Sequence, residues 1–250
     1  MFRLLTAQNT QQRMDELARF IEYWYGRRQA DYGESDERLA RYPLPASLRR
    51  FHAFAGRWPP PPNTPHDVQF FYAGAAGHHL QPLDYIKLRP DGRLEFFMEY
   101  QGDWVGLTLP READPPVWLE GHFEDEVSYS GPPPTRLACD SLSRFLVTHC
   151  LFTTLYEGSN CAAMAFAQAD SPVAAFLHAN PSKVEKIWDC TGIQCPWYSG
   201  SIYLVSEGVL IHQADNTYAF AAHPSLPGAA PLFERLKKPP GRQAGDSPNK

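Results

Sequence analysis

Cys190 and Cys195 are the two thiols closest together in the chain, in the run Cys190-Thr191-Gly192-Ile193-Gln194-Cys195. Such a pair can form half of a zinc site, but zinc takes a second pair elsewhere. His178, His212 and His223 are the candidates for it, and none stands in a paired spacing. The two cysteines therefore read as free thiols beside a turn. His149 and Cys150 offer a base next to a nucleophile. Adjacent side chains on a helix point about 100° apart, so the two cannot face each other. His149 reads as a hydrogen-bonded core histidine and Cys150 as a small buried hydrophobe. His78 and His79 follow the small-residue stretch Gly74-Ala75-Ala76-Gly77. That stretch lacks the G-x-x-x-x-G-K-[ST] of a phosphate cradle, and adjacent histidines alone are no ligand set. Glu95 and Glu99 share one strand face and read as its solvated side. Asp114 reads as a turn former, Gly102 as a special backbone angle, and Trp104 and Trp118 as packing residues. No catalytic, cofactor or metal arrangement emerges, and a non-enzymatic protein is expected.

The elements that carry these residues follow from periodicity. Asn9 or Thr10 with Gln12 can cap a helix whose apolar face is Met14, Leu17, Ala18, Ile21, Trp24 and Tyr25, with Gly26 as its stop. Residues 33–41 are charged and expected to be solvated. Pro45 is tolerated in a first turn, and Leu48, Phe51 and Ala55 place a second helix at 45–55. The proline run at 59–62 reads as a stiff spacer in preference to an SH3-type ligand. Residues 68–72 look like a strand. An antiparallel meander is expected at 83–88, 94–100, 105–109 and 117–119. Within it Leu94, Phe96, Met98 and Tyr100 alternate with Glu95 and Glu99, as on a half-buried strand, while Phe97 partly covers the second face. Pro90-Asp91-Gly92-Arg93 supplies a turn. A helix at 142–156, capped by Asp140 or Ser141, puts Leu142, Phe145, Leu146, His149, Thr153 and Tyr156 on one face. A second meander is expected at 201–206, 209–213 and 217–222, then a last helical turn at 232–236.

The 250 residues allow one large domain or two small ones, and 43% hydrophobic content supports a sizeable core. A net charge of −5 argues against a nucleic-acid partner, whose binder would be basic. No apolar run of about 18 residues suggests a membrane helix, and the N-terminus shows no signal-peptide core, so a cytoplasmic protein is expected. Five cysteines, an odd number, read as reduced thiols.

Two motifs add a resemblance. Glu99-Tyr100-Gln101-Gly102-Asp103-Trp104 and Ala113-Asp114-Pro115-Pro116-Val117-Trp118 are similar to the E-N-Q-G…W and D-D-P-P-V-[WY] signatures of the SMI1/KNR4 family, also called the SUKH superfamily. Tyr100 stands where the family has Asn, and a single Asp precedes the proline pair. The resemblance spans roughly residues 42–236. It implies an SMI1/KNR4-like α+β fold, an antiparallel sheet flanked by helices. The expected organisation is an N-terminal helix and charged linker (1–40), the α+β domain (41–236) and a disordered tail (237–250). The resemblance also implies a protein-binding module without catalysis or cofactor, of the bacterial immunity type that neutralises a polymorphic toxin. A regulatory or scaffolding member of the family is the alternative, and a Cys/His metal protein or enzyme a third reading. The loops around the sheet combine aromatic and acidic side chains, so Tyr100, Asp103, Glu124, Asp125 and Glu126 are the expected contacts to a basic protein partner such as a toxin nuclease.

Overall fold

The computed structural model describes residues 2–59, 78–99, 104–121, 133–156, 164–168, 171–195, 197–215 and 217–238. Its fold is α+β, with two antiparallel sheets and helices between and outside them. The first sheet takes β1 (His78–Leu80), β3 (Leu94–Glu99), β4 (Trp104–Thr108), β5 (Val117–Gly121) and β6 (Thr135–Cys139) in that spatial order, with β2 (Lys87–Leu88) also paired to β3. The second takes β7 (Met164–Gln168), β11 (Thr217–Ala222), β10 (Val209–Ala214), β9 (Ser201–Val205) and β8 (Val184–Asp189).

Between the sheets runs α4 (Leu142–Tyr156), flanked by α1 (Thr10–Tyr25) and α3 (Ala46–Ala55). Thirteen of the fifteen residues of α4 are buried, all but Arg144 and Tyr156. One apolar face was expected there; contact with sheets on both sides and helices alongside buries the whole circumference instead. The polar residues tolerate this because they bond locally: the Thr148 hydroxyl donates to the Arg144 carbonyl at 2.8 Å and that of Thr154 to the Cys150 carbonyl at 2.8 Å. The second sheet is buried on both faces along β10 and β11. Leu210 and Ala221 turn toward α4, while Val209, Ile211 and Phe220 turn toward α5 (Pro172–Ala179) and α6 (Ala229–Lys237).

The strand alternation holds only in part. Leu94 and Phe96 are buried, but so is Phe97, while Met98, Glu95 and Glu99 are half-buried. A register shift between Glu95 and Phe97 explains the difference: one extra residue turns Phe97 inward against Phe145 and His149. Opposite Phe97 stands Gly106, and any Cβ there would lie 2.8 Å from the Phe97 Cβ, so the small residue makes the inward turn possible. The first helix begins as the sequence suggests, with the Asn9 side chain accepting from the Gln12 amide at 2.9 Å and Gly26 closing it at φ 93°. Residues 33–41 depart from expectation. They hold the short helix α2 (Asp36–Leu39), with Leu39 fully buried and Glu34 8% exposed in contact with Arg38. The expected segments at 59–62 and 68–72 and the tail lie wholly or almost wholly outside the described residues. No helix among the described residues is long and apolar enough to cross a membrane.

Candidate functional site

Tyr100, Asp103, Glu124, Asp125 and Glu126 all lie outside the described residues. The strand ends that flank them are described, and they share one end of the first sheet. Trp104 pairs with Gly121, His78 with Glu99, and Glu120 with Thr135. Trp104 is buried there and stacks on Trp197 at 4.2 Å between ring centres, so its expected packing role stands.

The side chains with reactive chemistry gather on the inner face of the second sheet and the C-terminal half of α4. The Tyr156 hydroxyl lies 2.7 Å from His212 Nδ1, and His212 Nε2 lies 2.7 Å from the Ser199 carbonyl. A carbonyl only accepts, so Nε2 carries the proton and Nδ1 takes the one offered by Tyr156. Burial lifts the Tyr156 hydroxyl to a pKa of about 12 and lowers that of His212. Both shifts favour the neutral pair, so a proton does not pass from one to the other at ordinary pH. His149 Nδ1 meets the Tyr198 hydroxyl at 3.0 Å, as expected of a satisfied core histidine.

The thiols behave alike. Cys139, Cys150, Cys190 and Cys195 are free and buried. Burial pushes Cys139 to about 11 and Cys190 and Cys195 to about 12, far from the thiolate that a nucleophile or metal ligand needs. Among the described residues no three of His, Cys, Asp and Glu converge as a metal site. The histidines considered as partners for the thiols are otherwise placed. His212 is held by Tyr156, His223 Nε2 reaches the Tyr23 carbonyl at 2.7 Å, and His178 is exposed on α5.

Asp114, expected as a turn former, does more. Its carboxylate accepts from the hydroxyls of Thr10 at 2.8 Å, Ser141 at 2.7 Å and Ser143 at 2.7 Å, and from the Ser143 amide at 2.6 Å. The same loop, residues 109–116, offers the Glu112 and Ala113 carbonyls to the amides of Ala46 and Ser47, and the Pro115 carbonyl to Leu142. First-turn amides have no partner inside their own helix. One loop therefore holds the starts of α1, α3 and α4. The Ala-Asp-Pro-Pro motif suits the task, since the prolines donate nothing and leave their carbonyls to accept.

What stays outward is the polar ridge of α1. Arg19 and Glu22 border two grooves. One, of about 560 Å³, lies toward α3 over Leu17, Ala18 and Phe54, with the Asp15–Arg50 ion pair on its rim. The other, of about 790 Å³, opens toward the β8–β9 end between Phe2, Tyr23, Arg27, Lys183, Glu185 and Leu204. Sequence reading missed this surface. Arg19 and Glu22 lie on the polar side of the periodicity that defines α1, where any residue reads as solvated. The facing wall comes from residues 182–206, which nothing local connects to α1. No family model matches this chain, and no curated protein and no solved structure matches it either.

Proposed function

We propose that this chain is a non-enzymatic protein-binding module and that the ridge of α1 with its two grooves is its partner surface. The observation that carries this reading is how the polar groups are spent. Among the described residues the thiols are buried, and the His149–Tyr198 and His212–Tyr156 pairs are turned inward and hydrogen-bonded, whereas α1 presents charged heads above apolar floors at the surface. An apolar floor with a polar rim is the anatomy of a protein interface. The resemblance of the Glu99–Trp104 and Ala113–Trp118 motifs to the SMI1/KNR4 family supports a partner of the toxin type, which the chain would neutralise by covering it.

The experiment is capture of partners from the native cell with the full chain, followed by reconstitution from purified components. A stable complex in which the partner loses its toxicity is the expected result. A complex without inhibition moves the reading to a scaffolding role, and turnover of a small substrate by the purified chain overturns it.

A further inference from the structure

The groove between α1 and the β8–β9 end says more about its occupant once its internal pairs are set aside. Arg19 is bound to Glu16 at 2.6 Å and its guanidinium lies over the Phe2 ring. Lys183 is bound to Glu207 at 3.0 Å. Glu22 accepts from the Arg28 amide at 3.1 Å. Glu185 is pushed toward its neutral form by burial, and its carboxyl accepts from the Phe2 amide. Besides the exposed Ser182 hydroxyl, two polar heads remain. The Arg27 guanidinium is exposed, and the Tyr23 hydroxyl stands on the groove wall; neither has an acceptor among the described residues. Both are donors. Burial raises the pKa of the Tyr23 hydroxyl, so it keeps its proton and remains a donor across ordinary pH. Below them the groove floor is apolar, formed by Phe2, Val184 and Leu204.

We propose that this groove takes an extended segment of a protein partner in which an apolar side chain is closely followed by an acidic one. The apolar side chain covers Phe2 and Leu204, and the carboxylate accepts from Arg27 and from the Tyr23 hydroxyl. A guanidinium and a phenol that line one groove suit a carboxylate, because both donate and a carboxylate only accepts. A groove of about 790 Å³ that opens to solvent admits a short length of extended chain. The sense of charge is opposite to the acidic surface expected from residues 124–126: on this face the chain is the donor side. The inference rests on the protein-binding reading above and specifies its chemistry.

The test is an amide-resolved NMR titration of the full chain with three capped probes: acetyl-leucyl-glutamyl-amide, its glutaminyl analogue and its lysyl analogue. For ligands this small a dissociation constant on the order of 1 mM is expected. The glutamyl probe should shift amides at Arg27, Val184 and Leu204, with the glutaminyl probe at least several-fold weaker and the lysyl probe inert. Arg27→Gln, at an exposed position past the end of α1, should flatten the glutamyl titration, and Tyr23→Phe should weaken it several-fold. Equal responses to the three probes, shifts located elsewhere, or a titration unchanged in Arg27→Gln would overturn the proposal. A native complex whose footprint covers the groove toward α3 and avoids this one would sink the inference and leave the protein-binding reading intact. Loss of the native complex altogether would remove that reading as well, and the probe titration still reports on the groove by itself.

Discussion

Asp114 and the pair Tyr23–Arg27 use similar chemistry in opposite ways. Around Asp114, three hydroxyls and one amide converge on a single carboxylate within 2.8 Å, and the carboxylate's side chain is 13% exposed. Beside α1, a phenol and a guanidinium face an apolar groove with no acceptor among the described residues. A buried polar group that loses its partner costs the full desolvation penalty, so the loop at 109–116 is saturated. A group at the rim of an open groove can be left to water at little cost and remains available to a partner. The difference separates what holds this fold from what it offers outward.

The largest effect should come from breaking the saturated side. Asp114→Ala removes the acceptor for the starts of α1 and α4 together and leaves Ser143, itself buried, without its carboxylate partner. A loss of about 3 kcal/mol is expected, the sum of a lost cap and an unsatisfied buried donor. Denaturant unfolding checks this, with Asp114→Asn losing less because it keeps one acceptor oxygen. A cost below about 1 kcal/mol would mean the helix starts are held by the loop's carbonyls alone.

Acid should act next, through His52. It is fully buried in α3, and burial, aided by the nearby Arg38 charge, pushes its pKa down to about 3 from 6.5. The unfolded chain therefore binds a proton that the folded chain refuses between those values. Stability supplied by the neutral ring is complete above pH 6.5 and falls as pH drops toward 3. At pH 5 the loss should be about 2 kcal/mol relative to pH 7, at roughly 1.4 kcal/mol per pH unit. Unfolding of the wild type and of His52→Leu at both pH values isolates this contribution, since other groups cancel. Equal losses in both proteins would place the acid sensitivity elsewhere.

Much of this framework is legible in the residues themselves. The bounds of α4, the Asn9 cap of α1 and the hairpins of the second sheet follow from caps, apolar periodicity and turn residues. Four things do not. The shift at Glu95–Phe97 depends on a glycine in the neighbouring strand, which a pattern along β3 cannot see. The edge strand β6 is exposed at Thr135, Arg136 and Leu137, so it shows no alternation. Thr148 and Thr154 look like a polar side of α4 and are buried because each hydroxyl finds a carbonyl of its own helix. The role of Asp114 and the groove beside α1 are both long-range: Asp114 meets Ser141 at a separation of 27 positions and Thr10 at 104, and local sequence carries no record of such meetings.

The smallest effects make the sharpest comparison, because one chemical change can be made on both sides of it. Tyr156→Phe and Tyr23→Phe each delete a single hydroxyl from a tyrosine. At position 156 the hydroxyl donates to His212 Nδ1, whose ring is buried and bound at its other nitrogen to the Ser199 carbonyl. Its removal strands an acceptor in the core and should cost about 1–2 kcal/mol. At position 23 the hydroxyl has no acceptor within the described fold, so deleting it forfeits no bond and removes a partly desolvated polar group. Stability should change by less than about 0.5 kcal/mol, in either direction. Paired unfolding curves under one condition decide the matter. If Tyr23→Phe costs as much as Tyr156→Phe, its hydroxyl is already satisfied internally, and the groove wall has no free donor to give a partner. If it is neutral in stability while the Tyr156 variant is not, the two hydroxyls have separate duties: one closes the core, and the other is held in reserve at the surface.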